Sequence, residues 1–515
     1  MSPHSESKLL GLGSNPSSLT DKGTNLCPSI RRLEKAFSKE QSPKKKVKKD
    51  MPLPDLKEQK GLDLTEGPIT QTIFRLAWPV IISMLVETAR GMANMFWVGK
   101  LGAVDLAAVV SATFLVWFIY VLSDVISVGT VALVARYVGA KEEVKAGYVA
   151  RQAYLFAIIS SLFLAILMIL IGGKYAFNLM GTEPEVTRLG LNFLRIVFAG
   201  TTFLFLIETF GACFRGSGDT KTPMKVLLTS LSLNIALDPL LIFGIGPFPR
   251  MGTSGAALAT FISQGTAAVI YGFLITRGRL RFKFSLLPRF NSEGSRFAGF
   301  DFSVVQKILK IGLPLSVSGI LFIVVYIFLN KITATFGTEA IAALGIGNRM
   351  ESISFLTCFG FSQAASALVG QNLGAKKPKR AEKCAWRTVR IVVLITGFVS
   401  VMFLVFPKWI ASFFISDPKV VGIAIDYLRI LALSQVFMAL EIVLEGSFSG
   451  AGNTIPPMTV SIPGSIARIP LAYLIAIFWG VGVDGVWWAI TLTSIAKGTT
   501  LAFWFNQGKW KTKKV

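Results

Sequence analysis

Carboxylates lie inside long apolar stretches of this 515-residue chain, where an isolated charge is unexpected. Asp238 follows Asn234 by four residues, so a helix would place an amide and a carboxylate on one face. Glu87 and Asp124 occupy two earlier apolar stretches. An acid at membrane depth is costly and usually faces a cavity or a partner. These residues are candidates for binding a proton, a sodium ion or a cationic substrate, and the alternative for each is a hydrogen-bonded acid that fixes helix packing.

A secondary set of acids lies in the second half of the chain: Glu351, Glu441 and Glu445. Glu441 and Glu445 are four residues apart and share a helical face. Glu351 follows Arg349 and can pair with it locally. Glu445 is expected near the cytoplasmic end of its stretch, where a structural or gating role is as reasonable as ion binding.

The composition is that of a membrane protein. Hydrophobic residues make up 52% of the chain and charged residues 16%, against about 25% in an average soluble domain. A single histidine, His4, and four cysteines without metal-ligand spacing argue against zinc, haem and catalytic-triad chemistry. The sequence has no nucleotide-binding loop, so we expect no cofactor and assign the driving force to a proton or sodium gradient.

Twelve apolar stretches of near-spanning length follow a polar beginning, and their lack of strand-like alternation predicts an all-α polytopic protein. They cover approximately residues 73–97, 106–132, 152–171, 191–214, 224–243, 255–275, 308–330, 342–369, 389–406, 423–448, 458–479 and 485–505. Lysine and arginine concentrate in the loops after the second, sixth and eighth stretches. Positive loops stay inside, so we expect both termini in the cytoplasm of a multi-pass plasma-membrane protein, which is the inner membrane in a bacterium.

The two halves of the sequence repeat each other. At one constant offset, Pro79 matches Pro314 and Gly139-Ala140-Lys141 matches Gly374-Ala375-Lys376. With one residue removed, residues 216–220 match residues 450–454. Six stretches per half insert both halves the same way up, an arrangement typical of transporters, although duplication also occurs in channels and membrane enzymes.

These features predict five segments. Two six-helix lobes cover residues 67–276 and 308–506, joined by a cytosolic linker at 277–307. Residues 1–66 form a polar, disordered tail, and residues 507–515 form a short basic one. The basic run 43–49 is better explained by attraction to anionic lipid headgroups than by nucleic-acid binding or nuclear import.

Four motifs resemble the multidrug and toxic compound extrusion (MATE) family: residues 97–102, 215–220, 234–239 and 369–375. The resemblance covers about residues 69–505. It implies twelve helices in two pseudo-symmetric lobes, a V-shaped antiporter that exports amphipathic, usually cationic compounds in exchange for protons or sodium ions. We expect the protein to be a monomer. Asn234 and Asp238 are most similar to the prokaryotic branch related to DNA-damage-inducible exporters.

That branch has a polar cluster in the first lobe, and the resemblance places its members on four positions here: Asn94, Asn234, Asp238 and Thr260. Together they form a possible sodium site. The family's first-span position is an aspartate, and Asn94 replaces it. Glu87 lies seven residues earlier, two helical turns away on the same face, and is expected to supply the missing charge.

Two other functions compete with drug export. A lipid-linked oligosaccharide flippase of the same superfamily predicts an arginine-lined cavity, but among mid-span bases only Arg90 stands out, three residues after Glu87 and able to pair with it. A membrane-embedded enzyme is disfavoured because the chain has no recognisable catalytic motif. The sequence names neither the substrate nor the coupling ion.

Overall fold

The computed structural model describes residues 63–283 and 299–513. The chain divides into Met1–Leu56 and Lys57–Val515, and all described residues belong to the second unit. The basic run 43–49 and most of the predicted linker lie outside the described residues. Within the described ranges every regular element is a helix, which confirms the all-α prediction.

The first repeat is built from eight helical segments: α1 Ile69–Gly99, α2 Ala103–Gly139, α3 Glu143–Leu167, α4 Gly173–Met180, α5 Pro184–Ala199, α6 Thr201–Gly216, α7 Lys221–Phe243 and α8 Thr253–Thr276. A π-helical turn, Met168–Gly172, joins α3 to α4, so the two act as one long apolar segment.

The second repeat contains nine helical segments: α9 Phe302–Ala334, α10 Thr338–Gly374, α11 Pro378–Val405, α12 Pro407–Phe414, α13 Pro418–Ala432, α14 Gln435–Gly450, α15 Ile455–Ile466, α16 Arg468–Tyr473 and α17 Asp484–Asn506. A π-helical turn, Leu474–Phe478, continues α16, and a 3₁₀ turn, Lys509–Thr512, follows α17.

Length and hydropathy mark nine membrane-crossing helices among the described residues. Two bent pairs, α5 with α6 at 45° and α13 with α14 at 53°, raise the number to eleven. The bends fall at equivalent places in the two repeats. The twelfth predicted stretch, 485–505, forms the 23-residue helix α17, which is not among those nine and packs against α14 and α15.

The beginning of the first helix of each repeat packs in the hydrophobic core of the other repeat. Ile73 and Leu76 of α1 belong to a buried cluster built otherwise from the second repeat. Ile308 and Ile311 of α9 belong to the corresponding cluster of the first repeat. The two repeats are therefore interlocked at the starts of their first helices, a few residues before Pro79 and Pro314.

Residues just before α1 and α9 secure this exchange. Leu64 is fully buried, and its carbonyl accepts a hydrogen bond from Asn372 Nδ2 at 3.0 Å. Ahead of α9, Asp301 accepts a bond from the Tyr148 hydroxyl at 2.8 Å and caps the helix through the backbone N–H of Ser303. Bonds from Ser303 and Tyr148 hold the pKa of Asp301 below its ordinary value.

Both predicted tails, 1–66 and 507–515, include residues that pack on the helices, so each tail is shorter than the sequence predicts. Leu64 and its neighbours dock on the second repeat, where Lys377 Nζ donates to the Thr65 carbonyl at 3.1 Å. At the other end, Trp510 is 1% exposed and stacks on Phe505 with ring centroids 4.4 Å apart. An isolated apolar residue in a polar segment carries no periodicity, so sequence patterns assign it to a tail.

The helices α2 and α10 touch at their last turns through residues that are partners in the repeat. A Cβ on Gly139 would collide with the carbonyl oxygen of Gln371, and one on Gly374 would collide with the carbonyl oxygen of Arg136. Arg136 and Gln371 are themselves related by the offset that relates Gly139 to Gly374. The pseudo-twofold axis therefore passes between these glycines, and only their missing side chains allow the backbones to approach so closely.

Candidate ion and substrate sites

A buried acid lies in the middle of the first repeat. Asp238 and Asn234 are both fully buried on α7, which packs between α8 and α1. Asn234 Nδ2 donates to Asp238 Oδ1 at 3.3 Å. The i, i+4 spacing thus gives the shared face that the sequence predicts, and Pro239 follows the acid directly inside the helix.

Asn94 of α1 completes this group together with Thr260 of α8. With its amide nitrogen turned to the acid, Asn94 donates to Asp238 Oδ2 at 2.7 Å and to Oδ1 at 3.2 Å. The Asn94 amide also lies 3.4 Å from Thr260 Oγ1. The structure therefore brings together all four residues that the resemblance indicated.

The oxygens of this Asp238 group suit a small hard cation. It offers a carboxylate, two amide oxygens and a hydroxyl, all of which are acceptors. Asn234 Oδ1 is buried and has no hydrogen-bond partner among the described residues. A buried acceptor without a donor is costly, and a bound cation would satisfy it. The carboxylate suits a proton, and the set of four oxygen donors suits a sodium ion.

Glu87 lies apart from this group. Arg90 Nη2 donates to Glu87 Oε2 at 2.5 Å and to the Tyr120 hydroxyl at 2.5 Å. The Glu87 side chain is 38% exposed, against 11% for Arg90. No hydrogen bond joins Glu87 to Asp238 or Asn94 among the described contacts. Because Arg90 already balances its charge, this geometry does not support Glu87 as the replacement for the acid that Asn94 lacks.

Asp124 of α2 also lies outside the Asp238 group. The acid is half-buried, and its side chain makes no hydrogen bond within the described ranges. One turn later on the same helix, Ser127 accepts a bond from Arg215 Nη2 at 2.8 Å. Arg215 also pairs with Glu208 at 3.3 Å. Glu208 was missed in the sequence, although its seven-residue spacing from Arg215 places both on one face of α6.

The second repeat contains a buried ion pair. Lys497 Nζ of α17 lies 2.7 Å from Glu441 Oε1 of α14, with side-chain exposures of 5% and 11%. Ser461 of α15 donates to Glu445 Oε1 at 2.6 Å. Glu441 and Glu445 share a face as predicted, but one is neutralised by a lysine that the sequence reading did not single out.

Arg468 is the other buried base that sequence reasoning missed. It begins α16, directly after the break that follows α15, and is 3% exposed. Its Nε donates to Thr493 Oγ1 at 2.9 Å and its Nη2 to Ser494 Oγ at 2.8 Å. Glu351 of α10 does not use the local pairing that its spacing from Arg349 allows, because it forms no ion pair within 4.0 Å in the described part of the chain.

An all-helical bundle with repeated halves and charged groups buried in both is typical of an integral membrane transporter. The family model MatE matches residues 79–240 and again 314–474, so the chain belongs to the MatE family and its two halves are the two copies.

The relatives that this chain resembles match it over most of both lengths. The chain is 28% identical over 450 residues to the probable multidrug resistance protein NorM of Thermotoga maritima, covering 87% of this chain and 94% of that one. It is 26% identical to the FAD transporter of Shewanella oneidensis, covering 86% and 95%. A multidrug resistance MATE family transporter solved in the outward-facing conformation aligns with a TM-score of 0.78 at 25% identity, covering 87% of this chain and 97% of that one.

Proposed function

We propose that this MatE transporter is an ion-coupled antiporter that exports amphipathic, cationic compounds in exchange for protons or sodium ions by alternating access. Its support comes from relatives named as multidrug resistance proteins and, above all, from the buried Asp238 group. We place the protein in the bacterial inner membrane as a monomer with both termini in the cytoplasm.

Asp238 carries the coupling in this proposal. An ionised carboxylate in a fully buried position is costly, so the group gains stability by binding a proton or a cation. When the ion leaves, the Asn94 amide nitrogen compensates the carboxylate from 2.7 Å away. When a sodium ion binds, Asn94 turns its amide oxygen to the cation instead, and Asn234 Oδ1 and Thr260 Oγ1 supply further ligands.

A cationic substrate competes with the ion for the same charge. Because the site cannot stabilise two cations beside one carboxylate, binding of the substrate and of the ion exclude each other. Exposing the site alternately to the two sides of the membrane then exchanges one for the other. The energy of the ion gradient is thereby transferred to the substrate without ATP.

The test is transport in proteoliposomes with proton and sodium gradients imposed separately. Asp238→Asn keeps the side-chain shape but removes the charge, so we expect gradient-driven efflux of an ethidium-like cation to fall at least tenfold while the protein remains folded. Glu185→Gln is a matched control, since Glu185 is 64% exposed at the start of α5 and should transport normally. Full activity of Asp238→Asn would remove the proposal.

A further inference from the structure

Arg468 is a buried cation whose donors are only partly used. Two of its nitrogens donate to Thr493 and Ser494, while Nη1 is buried without a hydrogen-bond partner among the described residues. No carboxylate lies within 4.0 Å of the guanidinium in that part of the chain. The acid Glu351 interacts with it only at longer range, and the neighbouring Tyr326 interacts with it through a hydroxyl, which carries no full charge.

A buried guanidinium is costly for stability when no anion lies beside it. Arginine stays protonated in proteins, so burial cannot be relieved by losing the charge. The ring of Phe322 gives partial compensation, with its centroid 5.7 Å from the guanidinium carbon. A cation–π contact offsets only part of the cost of burying an ion. The planar fork with a free nitrogen matches a carboxylate or a phosphate.

The sequence repeat relates this arginine to the proposed coupling site. In the register of the later motifs, Arg468 is the counterpart of Asn234, and Ser494 is the counterpart of Thr260. In the register of the early motifs, Phe322 is the counterpart of Glu87. Arg468 therefore bonds to Ser494 at the place where the first repeat holds an amide and a hydroxyl around an acid. The first repeat therefore buries an acid in this region and the second repeat buries a base, although the base aligns with the neutral Asn234 and Asp238 aligns with Ala472.

We propose that Arg468 binds an oxyanion, a carboxylate or a phosphate, on the transported molecule. This inference rests on the proposed exporter function and narrows its substrate class to zwitterionic amphiphiles. The amine of the substrate competes for the Asp238 group, while its oxyanion takes the free donors of Arg468. Thr493 and Ser494 fix the guanidinium plane, and Phe322 covers one face of it.

The test compares two dyes that differ by one charge: a cationic xanthene dye with a free carboxylate, and its methyl ester. In proteoliposomes, Arg468→Gln should lower kcat/KM for the free acid at least tenfold and leave the ester within twofold. Arg468→Lys should recover part of the transport of the acid, because a lysine keeps the charge without the fork.

Purified protein provides a second readout through fluorescence anisotropy of each dye. Wild-type transport of the ester tests the exporter function itself, whereas the acid-to-ester ratio tests only Arg468. If the wild type transports neither dye, the exporter function fails, and arginine-dependent binding of the acid still decides whether the anion site exists. Equal loss of both dyes in Arg468→Gln, or no loss of either, overturns the inference.

A double variant distinguishes a purely structural role of Arg468 from substrate binding. If the arginine only balances Glu351, the double variant Arg468→Gln/Glu351→Gln should restore transport of the acid, because no uncompensated charge remains. If the arginine binds the substrate, the double variant should stay defective for the acid and active for the ester. Restoration of acid transport would contradict the inference.

Discussion

Lys497 Nζ lies 2.7 Å from Glu441 Oε1, and this ion pair joins α17 to α14 deep inside the second repeat. Lys497 is also the residue that fills the space beside Gly464, where a Cβ would collide with the lysine side chain. The pair therefore couples three helices, α14, α15 and α17, through one contact. It also compensates the charge of one of the two acids on α14, while the other, Glu445, accepts a hydrogen bond from Ser461.

Breaking this pair should destabilise the protein more than removing it. Lys497→Met leaves Glu441 buried and uncompensated, which costs about 3–5 kcal/mol. The double variant Lys497→Met/Glu441→Gln should recover most of that loss, because no isolated charge remains. Thermal unfolding of the purified protein in detergent measures both. A double variant as unstable as the single one would show that the pair does not act as a unit.

Asn94→Asp should change the number of ions coupled to transport. The Asn94 amide lies 2.7 Å from Asp238 Oδ2, and two carboxylates so close cannot both be ionised. The variant therefore retains a proton or binds a second cation, and the stoichiometry of ion to substrate should rise by up to one. Reversal-potential measurements in proteoliposomes give this ratio. Glu185→Gln, at the exposed start of α5, is a control that should leave the ratio unchanged.

Removing residues 1–66 should damage the protein, whereas removing 1–60 should not. A chain beginning at Gly67 loses Leu64, which is fully buried and whose carbonyl is bonded to Asn372. Burial of a leucine side chain contributes about 1.5–3 kcal/mol, so the thermal midpoint should fall clearly in the shorter chain. Size-exclusion profiles and thermal unfolding of the two truncations provide the comparison. Equal stability would mean that Leu64 docks without contributing.

Gly374→Ala should be poorly tolerated. Its new methyl group would collide with the Arg136 carbonyl at the contact between α2 and α10, and backbone on both sides leaves little room to adjust. Gly397→Ala is the matched control, because a Cβ there meets nothing within 4 Å inside α11. The control should be neutral or slightly stabilising, by up to about 1 kcal/mol. Yield of monodisperse protein and thermal midpoint distinguish the two variants.

The first-repeat group could be located from sequence because it depends on local spacing and on a family motif. Asn234 and Asp238 share a helix, and Asn94 and Thr260 were assigned through the resemblance. For Glu87, spacing indicates only the helical face, and the partner of the side chain depends on rotamers that spacing does not specify. Arg90 reaches back to it and to Tyr120 of α2, so its charge is already balanced.

The bases of the second repeat could not be found by the same means. Apolar stretches were identified by average hydropathy, and a single arginine or lysine hardly changes such an average. Whether Arg468 faces lipid, a loop or the core depends on how α16 packs after the break that follows α15, which is a tertiary property. The register of the repeat offered one signal, because Arg468 aligns with Asn234 while Asp238 aligns with Ala472.

The exchange of first segments between the repeats also sets an order of assembly. The partner of Leu64 is Asn372, which is 308 residues further along the chain. At about 5–20 residues per second, the ribosome needs roughly 15–60 s to synthesise the chain between Leu64 and Asn372. During this interval the beginning of α1 has no docking surface of its own, since Ile73 and Leu76 pack on helices that do not yet exist. The start of α9, in contrast, emerges when the first repeat is already complete. During synthesis the apolar start of α1 is therefore the segment most exposed to misfolding. A chaperone or the insertion machinery has to cover it until α10 has been made.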